Sequence, residues 1–321
     1  MAVWLVTGAT GFVGRHVLSA LETRVEGLSG DEKTVIALGR RCPENWPRTQ
    51  FVAADLTDAN KLPEVIEQIA PDVVIHTAGC TPPAPDDELY RGNFWATIHL
   101  LSALRSMHKP ARVVLSGSAA ELGPVDPERL PVDETYTGYP RDAYGRSKCL
   151  ATSAGLAERS ALEVMVARVF NPIGPGTPTT QAFGRFADRL TDPDADPLNL
   201  MVGDLDARRD FIDVRDVARA MVALAMDGQP RHVYNVCTGH SRSVCEGLER
   251  LIQLSGRTVR VSIDAQLQGR RGPVDSRGDI DRIKNHTGWE PLIPWEQSLD
   301  DLWREVEARK RPRREDHVAA A

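Results

Sequence analysis

The order of apolar and polar positions along the chain predicts alternating strands and helices. Residues 2–7 form a short apolar, β-branched run that reads as a strand, followed by a glycine-rich turn and a helix to about Glu22. Further strands are predicted over 33–38, ending at Gly39-Arg40-Arg41, and over 50–53, ending at Asp55. Helical spacing over 63–70 leads into an apolar strand at 73–78, and a long helical pattern over 88–107 precedes a strand at 112–116. A helix over 143–160 and a strand over 163–170 complete this half. The near-continuous apolar character of these strands fits a sheet buried on both faces, and the alternation predicts parallel strands with helical crossovers.

Beyond Asn171-Pro172 the texture changes. Residues 171–205 are rich in Pro, Gly, Asp and Thr, with one helical stretch near 181–190. A helix at 214–226 and a strand at 232–236 could return to the main sheet, and later helices are predicted at 244–254, 279–287 and 295–308. The basic tail from Arg309 lacks apolar periodicity and is expected to be frayed.

Composition adds boundaries. The 321 residues suffice for one large or two modest domains. With 41% hydrophobic and 26% charged residues, the usage is that of a globular protein. A net charge of −6 and a pI near 5.8 give no electrostatic reason to expect nucleic acid. Cys42, Cys80, Cys149, Cys237 and Cys245 are scattered without C-x-x-C spacing, so neither a disulfide framework nor a metal site is expected. No basic leader precedes the first strand, and no apolar run approaches the roughly 20 residues of a membrane span. The expectation is a cytoplasmic protein without a membrane partner.

The first strand–helix junction reads Gly8-Ala9-Thr10-Gly11-Phe12-Val13-Gly14. Glycines there permit a tight turn, close approach of backbone to a pyrophosphate and close helix–strand packing, and the helix N-terminus offers free N–H groups to the phosphate. In a dinucleotide fold an acidic residue after the second strand reads the ribose 2′-hydroxyl. Here Arg40 and Arg41 occupy that place. Two guanidiniums suit a 2′-phosphate, which favours NADP (NADPH) over NAD. Tyr144 and Lys148 lie four residues apart on one helix face. A cation beside a phenol is expected to lower a pKa that otherwise lies near 10, as a general acid at neutral pH requires.

The G-x-x-G-x-x-G turn, the Tyr144–Lys148 pair and the preceding Ser116-Gly117-Ser118 segment together resemble the extended short-chain dehydrogenases/reductases, the NAD-dependent epimerase/dehydratase family. The resemblance runs to about Val306. It implies a Rossmann-type doubly wound parallel sheet with a smaller C-terminal substrate-binding unit. The cofactor unit would span 1–171 with a return segment at 210–237, the substrate unit 172–209 and 238–308, and a disordered tail 309–321. It implies Ser118, Tyr144 and Lys148 as the catalytic set, with Tyr144 and Lys148 also on the cofactor. Gly8, Thr10, Gly11, Phe12, Val13 and Gly14 would hold the pyrophosphate, Asp55 and Leu56 the adenine, and Thr77, Ala78 and Phe170 the remainder of the dinucleotide.

The segments 168–176, 203–216 and 287–291 resemble those of members acting on nucleotide sugars, most of all GDP-sugar reductases and dehydratases. This implies a nucleotide-diphosphate sugar as substrate, contacted by Ser118, Asn171, Arg209 and Arg270 or Arg271. The dehydratases carry a glutamate three residues before the glycine matched by Gly123. Ala120 stands there, and Glu121, one residue later, would point to the opposite face of an extended segment. The implied activity is NADPH-dependent reduction of a 4-keto-6-deoxyhexose by a homodimer. The alternatives are an epimerase or dehydratase of the same family, a reductase of another small carbonyl compound, and a non-catalytic NADP-binding sensor.

Overall fold

Every strand of the main sheet runs parallel, as its two-sided apolar character requires. The computed structural model describes residues 2–23, 33–192, 197–264 and 275–310. The first six strands are β1 (Ala2–Thr7), β2 (Lys33–Gly39), β3 (Phe51–Ala53), β4 (Val73–His76), β5 (Ala111–Ser118) and β6 (Leu162–Val169). They pair in the order β3-β2-β1-β4-β5-β6, and β10 (Val233–Val236) adds a seventh strand beside β6. This is the doubly wound Rossmann order, with its reversal between β1 and β4, where such sheets open a crevice at their carboxyl ends. Strands β4 and β10 are buried throughout.

Helices cover both faces. In α1 (Phe12–Glu22) the buried residues Gly14, Val17, Leu18 and Leu21 repeat at helical spacing. They pack with Val217 and Met221 of α7 (Val214–Asp227) on one face. On the other face α2 (Leu62–Ile69) and α4 (Ala96–Ser106) contribute Leu62, Ile66, Leu100 and Leu104.

A second core is built from α6 (Ala182–Leu190), α8 (Val244–Ser255), the C-terminal helix Trp295–Lys310 and the strand pair β8 (Leu198–Val202) and β12 (Val259–Ile263). Phe183, Phe186, Leu248 and Leu302 are at its centre. Between the two cores lies a small sheet of β7 (Asn171–Ile173), β9 (Arg208–Asp213) and β11 (Ser241–Ser243). Three buried aspartates of this region bind distant segments. Asp210 accepts hydrogen bonds from Thr238, Gly239 and Gly278. Asp213 caps α7 and takes a bidentate contact from Arg215 and a hydroxyl from Ser298. Asp216 accepts from Arg219 and from the backbone of Leu292 and Ile293.

Several expectations change. The predicted helix over 88–107 is in fact α3 (Asp86–Leu89), a π-helical segment Tyr90–Trp95 and then α4. Helix α5 (Ala143–Leu156) stops short of Ser160, because Glu158 turns back to accept from the backbone of Arg159 and Ser160. Arg309 and Lys310 are helical rather than frayed, and Lys310 binds Asp188. Strands β7, β8, β9, β11 and β12 were not anticipated.

Candidate active site

At the first turn the chain leaves no room for side chains. Gly8 has a φ of 70°, and a Cβ there would lie 2.4 Å from the Ala78 nitrogen. A Cβ on Gly14 would lie 2.2 Å from the Gly8 carbonyl oxygen and 2.7 Å from Thr77 Oγ1. Gly11 closes the turn by donating its N–H to Gly8 O at 2.9 Å and then caps α1 with no side-chain bond. Thr10 and Gly11 are exposed, Phe12 and Val13 half-buried. Thr77 N–H and Oγ1 both donate to Thr7 O, joining the ends of β1 and β4. The result is an open helix N-terminus beside a shallow backbone cradle, the shape a pyrophosphate needs.

The predicted adenosine end is more open. Arg40 and Arg41 are exposed, and neither makes an ion pair or side-chain hydrogen bond among the described residues. The carboxylate of Asp55 accepts from Thr57 N–H and Oγ1, which hold its pKa below the usual range. Leu56 is buried, and its carbonyl lies 3.2 Å from His99 Nδ1.

Ser118 ends β5, Tyr144 is the second residue of α5, and Lys148 follows one turn later. The structure brings the three together. The Ser118 side chain lies near the Tyr144 phenol and its Oγ accepts from Ala120 N–H at 3.2 Å, while Lys148 Nζ donates to Ser116 O at 2.8 Å. Gly145 explains how α5 comes so near: a Cβ there would sit 2.5 Å from Ala120 O. Asp142 starts the helix by accepting from Gly145 N–H. Burial pushes the Tyr144 phenol upward, with the Ser118 hydroxyl opposing it and the Glu121 and Asp142 charges adding to it. Burial lowers Lys148 itself to about 8, against the opposing charge of Glu121.

Two residues escaped the sequence reading. Gly79 follows Ala78 at the carboxyl edge, and a Cβ there would lie 2.6 Å from Asn93 Oδ1 and 3.3 Å from Lys148 Nζ. Asn93, almost wholly buried in the π segment, accepts from Cys80 N and donates to Cys80 O and Ser147 Oγ. It thus ties the loop after β4 to α5. Uninterrupted helical spacing over 88–107 gave no sign of it, although π segments often mark functional sites.

The Glu121 segment is a 3₁₀ turn, Ala119–Leu122, and not extended as expected. Glu121 folds back beneath Ser118 and is buried. The Phe170 ring packs with Cys237, Leu122 and Val132. Asn171 is half-buried and donates to Asp210 O at 3.0 Å. Arg209 on β9 is also half-buried, and its guanidinium donates to Arg208 O at 2.7 Å. Arg270 and Arg271 lie outside the described residues.

A family model described as NAD dependent epimerase/dehydratase family matches residues 4–237. The chain belongs to this family. It is an oxidoreductase of the extended short-chain dehydrogenase/reductase type, built to bind NAD(P). GDP-6-deoxy-D-mannose reductase of Pseudomonas aeruginosa is 31% identical over 316 residues, covering 95% of this chain and 97% of that one. dTDP-6-deoxy-L-talose 4-dehydrogenase (NAD(P)(+)) of Kitasatospora kifunensis is 29% identical, covering 93% of each. The structure of RMD from Pseudomonas aeruginosa complexed with NADPH superposes with a TM-score of 0.83 at 29% identity, covering 96% of this chain and 100% of that one. Among the described residues no helix is long and apolar enough to cross a membrane, and no cluster of His, Cys, Asp and Glu could hold a metal ion.

Burial lowers Lys148 to about 8 in the free protein, so a cofactor contact made by its ammonium would be lost on the alkaline side. The second-order rate constant kcat/KM for NADPH, which reports the free enzyme, is expected to be flat below about pH 7. It should then fall toward tenfold per unit above about pH 8. Lys148→Arg removes the inflection. A parent profile flat to pH 9.5 contradicts this assignment.

Proposed function

We propose that the chain uses NADPH to reduce the 4-keto group of a nucleotide-diphospho-4-keto-6-deoxyhexose. The observation that carries the reading is the pairing of two charges with one geometry. Arg40 and Arg41 stand without ion-pair partners after β2, where a 2′-phosphate is read. Along the same sheet edge, Tyr144 stands near Ser118, with Lys148 beside Gly79. The names of the relatives support the sugar, since both curated proteins quoted act on 6-deoxy nucleotide sugars.

The glycine turn and the N-terminus of α1 would hold the pyrophosphate, with Arg40 and Arg41 on the 2′-phosphate. Asp55, Leu56, Thr77, Ala78 and Phe170 would line the rest of the dinucleotide. When bound, NADPH supplies the hydride. Ser118 orients the substrate oxygen toward Tyr144, Tyr144 Oη gives up its proton to that oxygen, and Lys148 stabilises the phenolate left behind. A phenol raised by burial starts fully protonated but is a weaker acid, so the proton transfer depends on Lys148 stabilising the phenolate as it forms. Asn171 follows β6, whose Val169 is in register with Ser118, so it stands close to the reacting end. It and Arg209 would engage the diphosphate from the smaller unit. Glu121 is committed beneath Ser118, which leaves the turn without a free acid for elimination.

We also propose a homodimer packed through the helices of residues 86–106 and α5. Trp95 and Leu150 leave 51% and 44% of their surface exposed there. Light scattering should return the mass of two chains, and a single-chain mass would exclude it.

A panel of nucleotide 4-keto-6-deoxy sugars should support NADPH oxidation in preference to simple ketones. Replacing either Arg40 or Arg41 by Ala should weaken NADPH by about 10- to 100-fold, the loss of one charge-assisted contact, and leave NADH unchanged. Reaction with simple ketones alone overturns the sugar, and unaltered NADPH affinity overturns the role of the arginines.

A further inference from the structure

Beneath Ser118 lies a buried charge pair that the reaction as described does not use. Glu121 is 2% exposed and Arg168 7% exposed. Glu121 Oε1 accepts from Ser118 N–H at 2.7 Å and from Thr152 Oγ1 at 3.0 Å, and Oε2 lies 3.4 Å from Arg168 Nε. Burial raises the Glu121 pKa, and all three neighbours donate to it and oppose that rise, as a carboxylate requires. Gly117 makes space for it, since a Cβ there would meet Oε1 at 2.7 Å. The pair joins three elements of the site: Ser118 on β5, Arg168 on β6, and Thr152 on α5, the helix that carries Tyr144 and Lys148.

Burying two charges is costly, and well-packed apolar residues of similar volume are often as stable or more so. An explanation by stability alone is therefore weak. The geometry points to a role in the site: we propose that Glu121 is a positioning residue, which fixes the backbone of Ser118 and supplies negative charge behind Tyr144 and Lys148. This rests on the reductase reading above. A negative charge at that place raises the Tyr144 phenol and keeps Lys148 as an ammonium, the cation that stabilises the phenolate as it forms. The charged and titratable groups that face Glu121 are Arg168 from β6 and Lys148, Tyr144 and Cys149 from α5. Arg168 offsets part of the field without abolishing it, since the Glu121 charge still raises both Tyr144 and Lys148.

The two parts of the role separate in two variants. Glu121→Gln keeps an oxygen that can accept from Ser118 N–H but removes the charge, whereas Glu121→Val removes both. Tyr144 titration is followed by NMR of ζ-¹³C-tyrosine in the NADP⁺ complex, with the Tyr144 signal assigned by its loss in Tyr144→Phe. In Glu121→Gln the Tyr144 titration and the alkaline limb of kcat should move to lower pH by about half a unit or more. At neutral pH its kcat should stay within about threefold of the parent. In Glu121→Val, kcat should fall about tenfold or more with KM little changed, the signature of an interaction made in the transition state.

A purely structural role lowers Tm and leaves kcat per folded molecule and the Tyr144 titration unmoved. That result in a folded, NADPH-binding Glu121→Gln overturns the proposal, and this variant alone decides if Glu121→Val does not fold. The titration needs no substrate. A parent that ignores every nucleotide sugar thus defeats the proposed function while the Glu121 result still stands or falls by itself.

Discussion

The structure depends on one close approach, the meeting of β1, α1 and β4 where no Cβ fits. Gly8 and Gly14 stack backbone on backbone, and the Ala78 nitrogen fills the space a side chain at residue 8 would occupy. This contact sets α1 against the sheet with its N-terminus open, at the point where the strand order reverses. From there the parallel register carries the geometry outward, β4 to β5 and β5 to β6, so that Ser118, Asn171 and the start of α5 gather at the same edge. A side chain at either glycine would separate strand from helix and disturb the cradle and the catalytic group together.

Around this edge, burial rather than proximity of charge governs the ionisable groups. Tyr144 is pushed up although Lys148 lies one turn away, and Lys148 is pushed down to about 8. Desolvation penalises the charged form of each. The ammonium is also committed to Ser116 O. The phenol is thus held protonated and the cation near its titration point.

How much of this was legible depends on how local the signals are. The main-sheet strands show in the sequence as short continuous apolar runs buried on both faces, and the helices beside them as apolar positions at helical spacing. The glycine turn and the Tyr144–Lys148 pair are likewise contained in a few residues. The small sheet was not legible, because β7, β9 and β11 are held by partners far along the chain. Asp210, Asp213 and Asp216 look like solvated charges in sequence, yet each is buried by bonds to residues 238–239 and 278, 298, or 292–293. Asn93 was hidden by a helical period that continues through the π segment, and Glu121 by the assumption of an extended chain where a 3₁₀ turn folds it inward.

The central claim is that the cradle and the Ser118–Tyr144–Lys148 edge serve net reduction rather than a closed redox cycle. Isotope transfer tests it directly. With NADPH deuterated on both faces of nicotinamide carbon 4 and a GDP-4-keto-6-deoxyhexose, one deuterium should appear on sugar carbon 4 for each NADP⁺ released. A sugar product without deuterium, formed while the dinucleotide stays bound and unchanged, would contradict it.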